Sequence, residues 1–338
     1  MIVNSDVDAC SGDRDCEYRI IERYSRILRN SFERQEWLFC DKLRNCKSGS
    51  NLIVQVRGKW SNPVESIVIN VPLNEPMDQW GQVQPQNKGV GVAIALTEMI
   101  KTQPHWAKEF IFVFSSDARV GIDCWLASNF DNRKSRCMYS SLPSIIAHSP
   151  QTGLVLDINS LIAHSIDIKM EGDLSQMTNQ DLVNVAVRVA NRMGITVTFH
   201  GMTGPSKSEE ISPLFFRQLL QIGTGEGTGN HASLIKHGIH ALTLRSGGKK
   251  GIFNVMRVAE GLLRSENNLL ERVHASIWFY IFSTISNYSS ISLYMPIIGL
   301  LLLLPLGLAL KEWVTVEEIS LDVLIKDLQP IISGKYMK

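Results

Sequence analysis

The chain has 338 residues, enough for about two domains or one large domain with an additional part. Lys and Arg number 34 against 33 Asp and Glu, so the net charge of +1 excludes the basic footprint of a nucleic-acid binder. Hydrophobic residues at 44% and charged residues at 20% exclude a disordered or collagen-like chain.

The first ten residues include Asp6 and Asp8 and no apolar run follows them, so no secretory leader is expected. Residues 17–32 place Tyr18, Ile21, Tyr24, Ile27, Leu28 and Phe32 at helical spacing, and Ser48-Gly49-Ser50 then breaks the pattern. Residues 1–50 therefore read as a helical flanking region. Residues 52–57 and 65–71 have the β-branched character of strands, and Asn62-Pro63 between them suggests a hairpin. A helix at 90–100, a buried strand at 109–115, a helix at 121–129 and a buried strand at 153–158 follow. The alternation continues with a strand at 165–170, a helix at 180–192, a strand at 195–200, a helix at 212–222, a strand at 240–245 and a helix at 254–274. This order predicts an α/β domain over 51–274, with a mixed, mostly parallel sheet flanked by helices.

From Ala275 to Leu310 no Asp, Glu, Lys, Arg or His occurs. A bilayer core of ~30 Å needs ~20 apolar residues as a helix, so 291–310 is predicted to span a membrane. Residues 275–290, which carry Trp278, Tyr280 and Tyr288, read as an interfacial approach helix, with 311–338 as a polar tail. Taken literally, a span so near the end resembles a tail anchor.

The tests for chemistry are mostly negative. The glycine-rich loop at 223–229 follows a helix and lacks the Gly-Lys-Ser/Thr of a phosphate-binding loop, so it reads as a mobile linker. No Gly-x-Ser-x-Gly elbow is present. Cys124 falls in mid-helix on a packing face, and the six cysteines, Cys10, Cys16, Cys40, Cys46, Cys124 and Cys137, show neither metal-site nor disulfide-framework spacing. They leave the redox compartment open. Asn287-Tyr288-Ser289 forms a glycosylation sequon next to the apolar segment.

The strand and helix order resembles the di-zinc aminopeptidase fold, whose metal ligands stand at the ends of five elements. Carried onto this chain, the first position reads Val71-Pro72-Leu73-Asn74-Glu75 with no histidine, and the next turn reads Gln86-Asn87-Lys88 with no acid. Ala118-Arg119 stands where a Glu pair would be, with Asp117 one residue earlier. Asp157 matches an expected acid, and no late histidine occurs in 246–251. A catalytic zinc takes about three protein ligands plus an open position. Asp117, Asp157 and His231 remain as relic candidates, with Asp117 expected as a helix N-cap and His231 as a hydrogen-bonding turn residue. His237 and His240 read as ordinary turn histidines. No metal and no cofactor is expected.

Five runs are more specific: ESIVINVP at 65–72, WAKEFIFV at 106–113, IHALTLR at 239–245, NNLLERVHAS at 267–276 and SLYMPIIG at 292–299. In this order they resemble the glycosylphosphatidylinositol (GPI) anchor attachment family, the large non-catalytic subunit of GPI transamidase, across roughly 51–310. The resemblance implies an endoplasmic reticulum membrane protein with a lumenal α/β domain, partnered by a caspase-like cysteine protease subunit and other subunits. It implies that the chain positions the GPI lipid acceptor or the substrate protein and carries no catalytic residue itself. Tyr294, Pro296 and Gly299 are the expected contacts with lipid or subunits. Two alternatives are a membrane-anchored zinc aminopeptidase rearranged around Asp117, Asp157 and His231, and a cytosolic tail-anchored binding module.

Overall fold

The computed structural model describes residues 10, 13–42, 45–61, 64–73, 88–130, 136–139, 142–203, 213–250, 253–269 and 279–332. They form two compact units, 1–288 and 289–338.

The first unit opens with helix α1 (Arg14–Ile27), whose N-cap Asp13 accepts the main-chain N–H groups of Asp15 and Cys16. Tyr18 and Ile21 bury one side of it. A strand follows where the sequence suggested continued helix: β1 (Ser31–Cys40) pairs antiparallel with β2 (Cys46–Arg57) along its whole length. The next elements are β3 (Ser66–Pro72), α2 (Gly89–Thr102), β4 (Glu109–Ser115), α3 (Ala118–Asn129), β5 (Cys137–Tyr139), β6 (Pro150–Asp157) and β7 (Ile162–Lys169). After a single 3-10 turn at Asp173–Ser175 come α4 (Gln180–Arg192), β8 (Thr196–Thr198), α5 (Pro213–Thr224), α6 (His231–Lys236), β9 (His240–Lys250), β10 (Phe253–Asn254), α7 (Val255–Asn267) and β11 (Tyr280–Phe282).

The main sheet has the order β10-β7-β9-β6-β3-β4-β2-β1-β5, with β8 pairing to β7. Its centre, β4-β3-β6-β9, is parallel. The fold is thus an α/β domain with a mixed sheet flanked by helices. The suggested hairpin between 52–57 and 65–71 does not form, because β4 lies between β2 and β3 and pairs with both.

Both faces of the central strands are covered, which is why their sequences are almost continuously apolar. Phe110, Phe112 and Phe114 of β4 join the larger core with Ile67, Ile69 and residues of α2, α4 and α7. Ile111 and Val113, one position out of phase, join Val68, Ile122, Trp125 and Leu234 on the other face, under α3 and α6.

All six cysteines pair: Cys10 with Cys16, Cys40 with Cys46, and Cys124 with Cys137. Cys124, placed in mid-helix on a packing face, is thus a disulfide partner, although the cysteine spacing suggested no disulfide framework. Cys40 and Cys46 face each other across the β1/β2 register, and Cys124–Cys137 ties α3 to the edge strand β5. For Cys40 and Cys46 the pairing follows from the strand register, which the spacing of the cysteines does not show.

Residues 270–278, including Trp278, lie outside the described residues. The expected approach helix at 275–290 is not helical where it is described: β11 is wholly buried, and Tyr280 meets Phe282 and Tyr288 edge-on. Tyr280 therefore fills the core instead of meeting headgroups. The second unit holds helix α8 (Ile291–Ile332), within which Met295–Thr315 is long and apolar enough to cross a membrane. The helix continues into the segment read as a polar tail.

Candidate functional site

From β3 the chain passes through α2 to β4 on one side and then returns to β6 on the other. Ligands of open α/β sheets bind outside the carboxyl ends of strands at such a reversal. The candidate site is therefore the region around the ends of β3, β4, β6 and β9, and the family positions considered above fall there. Residues 74–87 of this region, including Asn74, Glu75 and Lys88's preceding turn, lie outside the described residues.

Asp117 caps α3 by accepting the N–H of Val120 at 3.2 Å. Asp157 ends β6, is buried, and faces Arg245 of β9 with Nε to Oδ2 at 3.7 Å. His231 is completely buried at the start of α6. Its Nε2 lies 2.9 Å from the Glu171 carbonyl and its Nδ1 2.8 Å from the Thr243 hydroxyl. A carbonyl oxygen only accepts, so Nε2–H donates to it and Nδ1 accepts from Thr243. Burial drives the pKa down to about 4, which keeps the ring neutral. Neither nitrogen then has a lone pair left for a metal.

The structure adds a residue that sequence reasoning missed. Glu171, just beyond β7, is buried, and its Oε1 accepts from His200 Nε2 at 2.8 Å and Gln218 Nε2 at 3.3 Å. Its Oε2 accepts from the Thr228 hydroxyl at 3.0 Å and the Met170 N–H at 3.3 Å. Burial pushes this carboxyl up, but the hydrogen bond and charge of His200 outweigh it and hold the pKa at about 2. Conversely, burial pushes His200 down, and its bond to Glu171 carries it above the ordinary histidine value. The two form a buried hydrogen-bonded pair in which each favours the charged form of the other.

Arg119, standing where a metal-binding Glu would be, is instead paired with Asp173. Burial raises the Asp173 carboxyl, and the Arg119 bond and charge bring it below its ordinary value. Asp173 also accepts the Gly227 N–H at 3.0 Å. The glycine-rich loop is thus fastened, contrary to its reading as a linker: Thr228 N–H donates to the Glu171 carbonyl at 3.1 Å, and a Cβ at Gly227 would collide with that of Ala232. On the β3 side, Asn70 donates to the Val113 carbonyl at 3.0 Å and accepts from Asn230 at 2.8 Å.

The three relic candidates therefore have three separate structural duties, and no group of three or more His, Cys, Asp or Glu among the described residues has metal-site geometry. Among the described residues, the donors present do not fit a zinc ion. In α8, Tyr294 lies in the first turns, while Pro296 and Gly299, three residues apart, share one exposed face.

The fold and site define an α/β domain whose strand-end polar residues are spent on internal contacts, followed by a candidate membrane-spanning helix. Residues 48–324 match the family described as Gaa1-like, GPI transamidase component, and the chain belongs to that family. It is 28% identical over 285 residues to GPI transamidase component gaa1 of Schizosaccharomyces pombe, covering 80% of this chain and 48% of that protein. It is 26% identical over 263 residues to GPI transamidase component GAA1 of Saccharomyces cerevisiae, covering 75% of this chain and 40% of that protein. The chain spans about half the length of the curated relatives it matches. Among solved structures, Porphyromonas gingivalis glutaminyl cyclase is similar at 13% identity and a TM-score of 0.48, covering 79% of this chain and 97% of that one. A zinc-dependent exopeptidase from Bacteroides vulgatus is similar at 14% identity and a TM-score of 0.48, covering 80% and 93%.

Proposed function

We propose that this chain acts as a non-catalytic component of the GPI transamidase complex in the endoplasmic reticulum membrane, with its α/β domain in the lumen. The observation that carries this reading is the family match over residues 48–324. In this role the chain positions the GPI lipid acceptor or the substrate protein beside a caspase-like cysteine protease subunit, which forms the thioester that the lipid's amine attacks. Positioning alone supplies a large part of the advantage in such an aminolysis, because a two-body encounter becomes an oriented one.

Three features support the reading. The six cysteines are all paired, so none of them is a free nucleophile. Three disulfides are at home in an oxidising lumen and out of place in the cytosol. In α8, Gly299 has no side chain, which suits close approach of another helix, and Gly299, Pro296 and Tyr294 are the proposed contacts with lipid or other subunits.

The test is affinity purification of the tagged chain from mild-detergent extracts of endoplasmic reticulum membranes, with mass spectrometry of what co-elutes. Recovery of a caspase-like protease subunit with membrane companions is the expected result. A stably inserted chain that recovers none of them overturns the reading, and stoichiometric zinc with peptidase turnover abolished by Asp157→Ala would replace it with a metallopeptidase.

A further inference from the structure

The three disulfides of the first unit differ in access. Cys124 is completely buried and Cys10 is 6% exposed, while Cys16, Cys40 and Cys137 are half-buried. Cys46 alone among the six cysteines is exposed. Its place follows from the β1/β2 register. The Asp41 N–H donates to the Asn45 carbonyl at 2.9 Å, so the next pair inward, Cys40 and Cys46, is a non-hydrogen-bonded pair, where facing side chains come closest. Lys42 and Lys47, both exposed, flank the pair in sequence. Arg136, just before β5, accepts the Cys40 N–H on its carbonyl at 3.5 Å, and its guanidinium reaches Asp41 at 3.1 Å. A disulfide with a solvent-facing sulfur beside cations exchanges with external thiols, whereas a buried one resists reduction.

The sheet keeps such an exchange local. Cys137 lies opposite Phe39 in the β1/β5 register, and Cys40 lies opposite Cys46 in the β1/β2 register. Successive side chains of a strand point to opposite faces, so Cys137 shares the face of Phe39 and Trp37, where it meets Cys124 of α3, while Cys40 and Cys46 share the other. A thiolate freed at Cys40 is therefore not aimed at the Cys124–Cys137 bond. We propose that Cys40–Cys46 is a thiol-exchange site, opened reversibly at Cys46 by a small anionic thiol of the glutathione class. The incoming thiolate attacks Cys46 Sγ, the Cys40–Cys46 bond breaks, and Cys40 leaves as a thiolate, so a mixed disulfide replaces the internal one. A second thiolate then attacks the mixed disulfide and releases Cys46. Two external thiols are thereby oxidised to one external disulfide, and the bridge takes up two electrons and two protons. At an oxidising poise the reverse reaction keeps the bridge closed. This goes beyond the functional reading above and does not depend on it.

The test uses the full, oxidised chain in detergent under native conditions. Reduced glutathione is added at millimolar concentration, free thiols are trapped at intervals with N-ethylmaleimide, and the modified cysteines are mapped by mass spectrometry. Cys40 and Cys46 are expected to react at least about tenfold faster than the cysteines of the other two bridges. Cys40→Ser gives a second readout, because it leaves Cys46 without its partner. Oxidised glutathione is then expected to form a mixed disulfide at Cys46, with no bridge from Cys46 to Cys124 or Cys137. Opening of all three bridges at one rate, or of another bridge first, overturns the proposal. So does an intact Cys40–Cys46 bond over the time in which the denatured chain reacts fully.

Discussion

Gln218 accepts the main-chain N–H of Phe282 at 2.6 Å, while its amide donates to Glu171 at 3.3 Å. One side chain of α5 thereby joins the buried carboxylate behind β7 to β11, the strand that precedes the candidate membrane-spanning helix. Both ends of the link are buried, so neither water nor a surface side chain can replace it. Removing one partner of a buried hydrogen bond leaves the other with its full desolvation cost.

Gln218→Leu keeps the volume and removes both bonds. It leaves the Phe282 N–H without an acceptor and Glu171 short of one donor. The expected loss is about 2–4 kcal/mol, read as a lowered thermal midpoint of the purified chain in detergent. Gln218→Glu is expected to be worse, because it sets a second carboxylate against Glu171.

His231 gives a pH dependence with a definite sign. Its folded pKa of about 4 lies below the ordinary 6.5, so the unfolded chain binds the proton more readily between these values. Stability from this group is complete above pH 6.5 and is lost as the pH falls toward 4, up to about 3 kcal/mol in total. His200, with its pKa raised, works the other way, and its contribution is complete below pH 6.5 and lost on raising the pH. Denaturant unfolding between pH 7 and pH 5 is therefore expected to show a smaller acid loss in His231→Gln than in the native chain. An equal loss in both would show that His231 does not control that limb.

The sequence made periodic elements legible and distant pairings invisible. Helix α4 coincides with the predicted 180–192 and strand β4 with 109–115, because each has one unbroken apolar pattern. Strand β1 escaped notice because it buries only Gln35 and Trp37, and its exposed residues extend the charged pattern of α1. The burial of Tyr280 was hidden inside an apolar stretch that composition alone assigns to a membrane boundary. At the site, the cap role of Asp117 and the hydrogen-bonding role of His231 could be read locally. Glu171 could not, since its partners His200, Gln218 and Thr228 come from three later segments.

The disulfides supply a test of compartment. If the α/β domain matures in an oxidising lumen, alkylation of the denatured, unreduced chain from native membranes is expected to label no cysteine, and reduction to expose all six. Cys124→Ser with Cys137→Ser frees α3 from the β5 edge. For a bridge of separation 13, the expected loss is about 3 kcal/mol. Extensive labelling without reduction would place the domain in a reducing compartment.

Glu266 of α7 provides the reverse case to His231. Burial raises its carboxyl to about 7, with the charge of Lys108 acting in the opposite direction. The folded chain therefore holds this proton more tightly than the unfolded chain, whose ordinary value is 4.5. Its contribution is favourable at low pH and is lost as the pH rises through 7, by at most about 3 kcal/mol. Glu266→Gln removes the ionisation and keeps the shape. Lys108 is not left without a counter-charge, because its Nζ lies 3.3 Å from Glu65. The variant is expected to gain on the native chain progressively from pH 5 to pH 8 in denaturant unfolding. A constant difference across that range would mean that Glu266 stays ionised in the folded domain and that Lys108 outweighs the cost of burial.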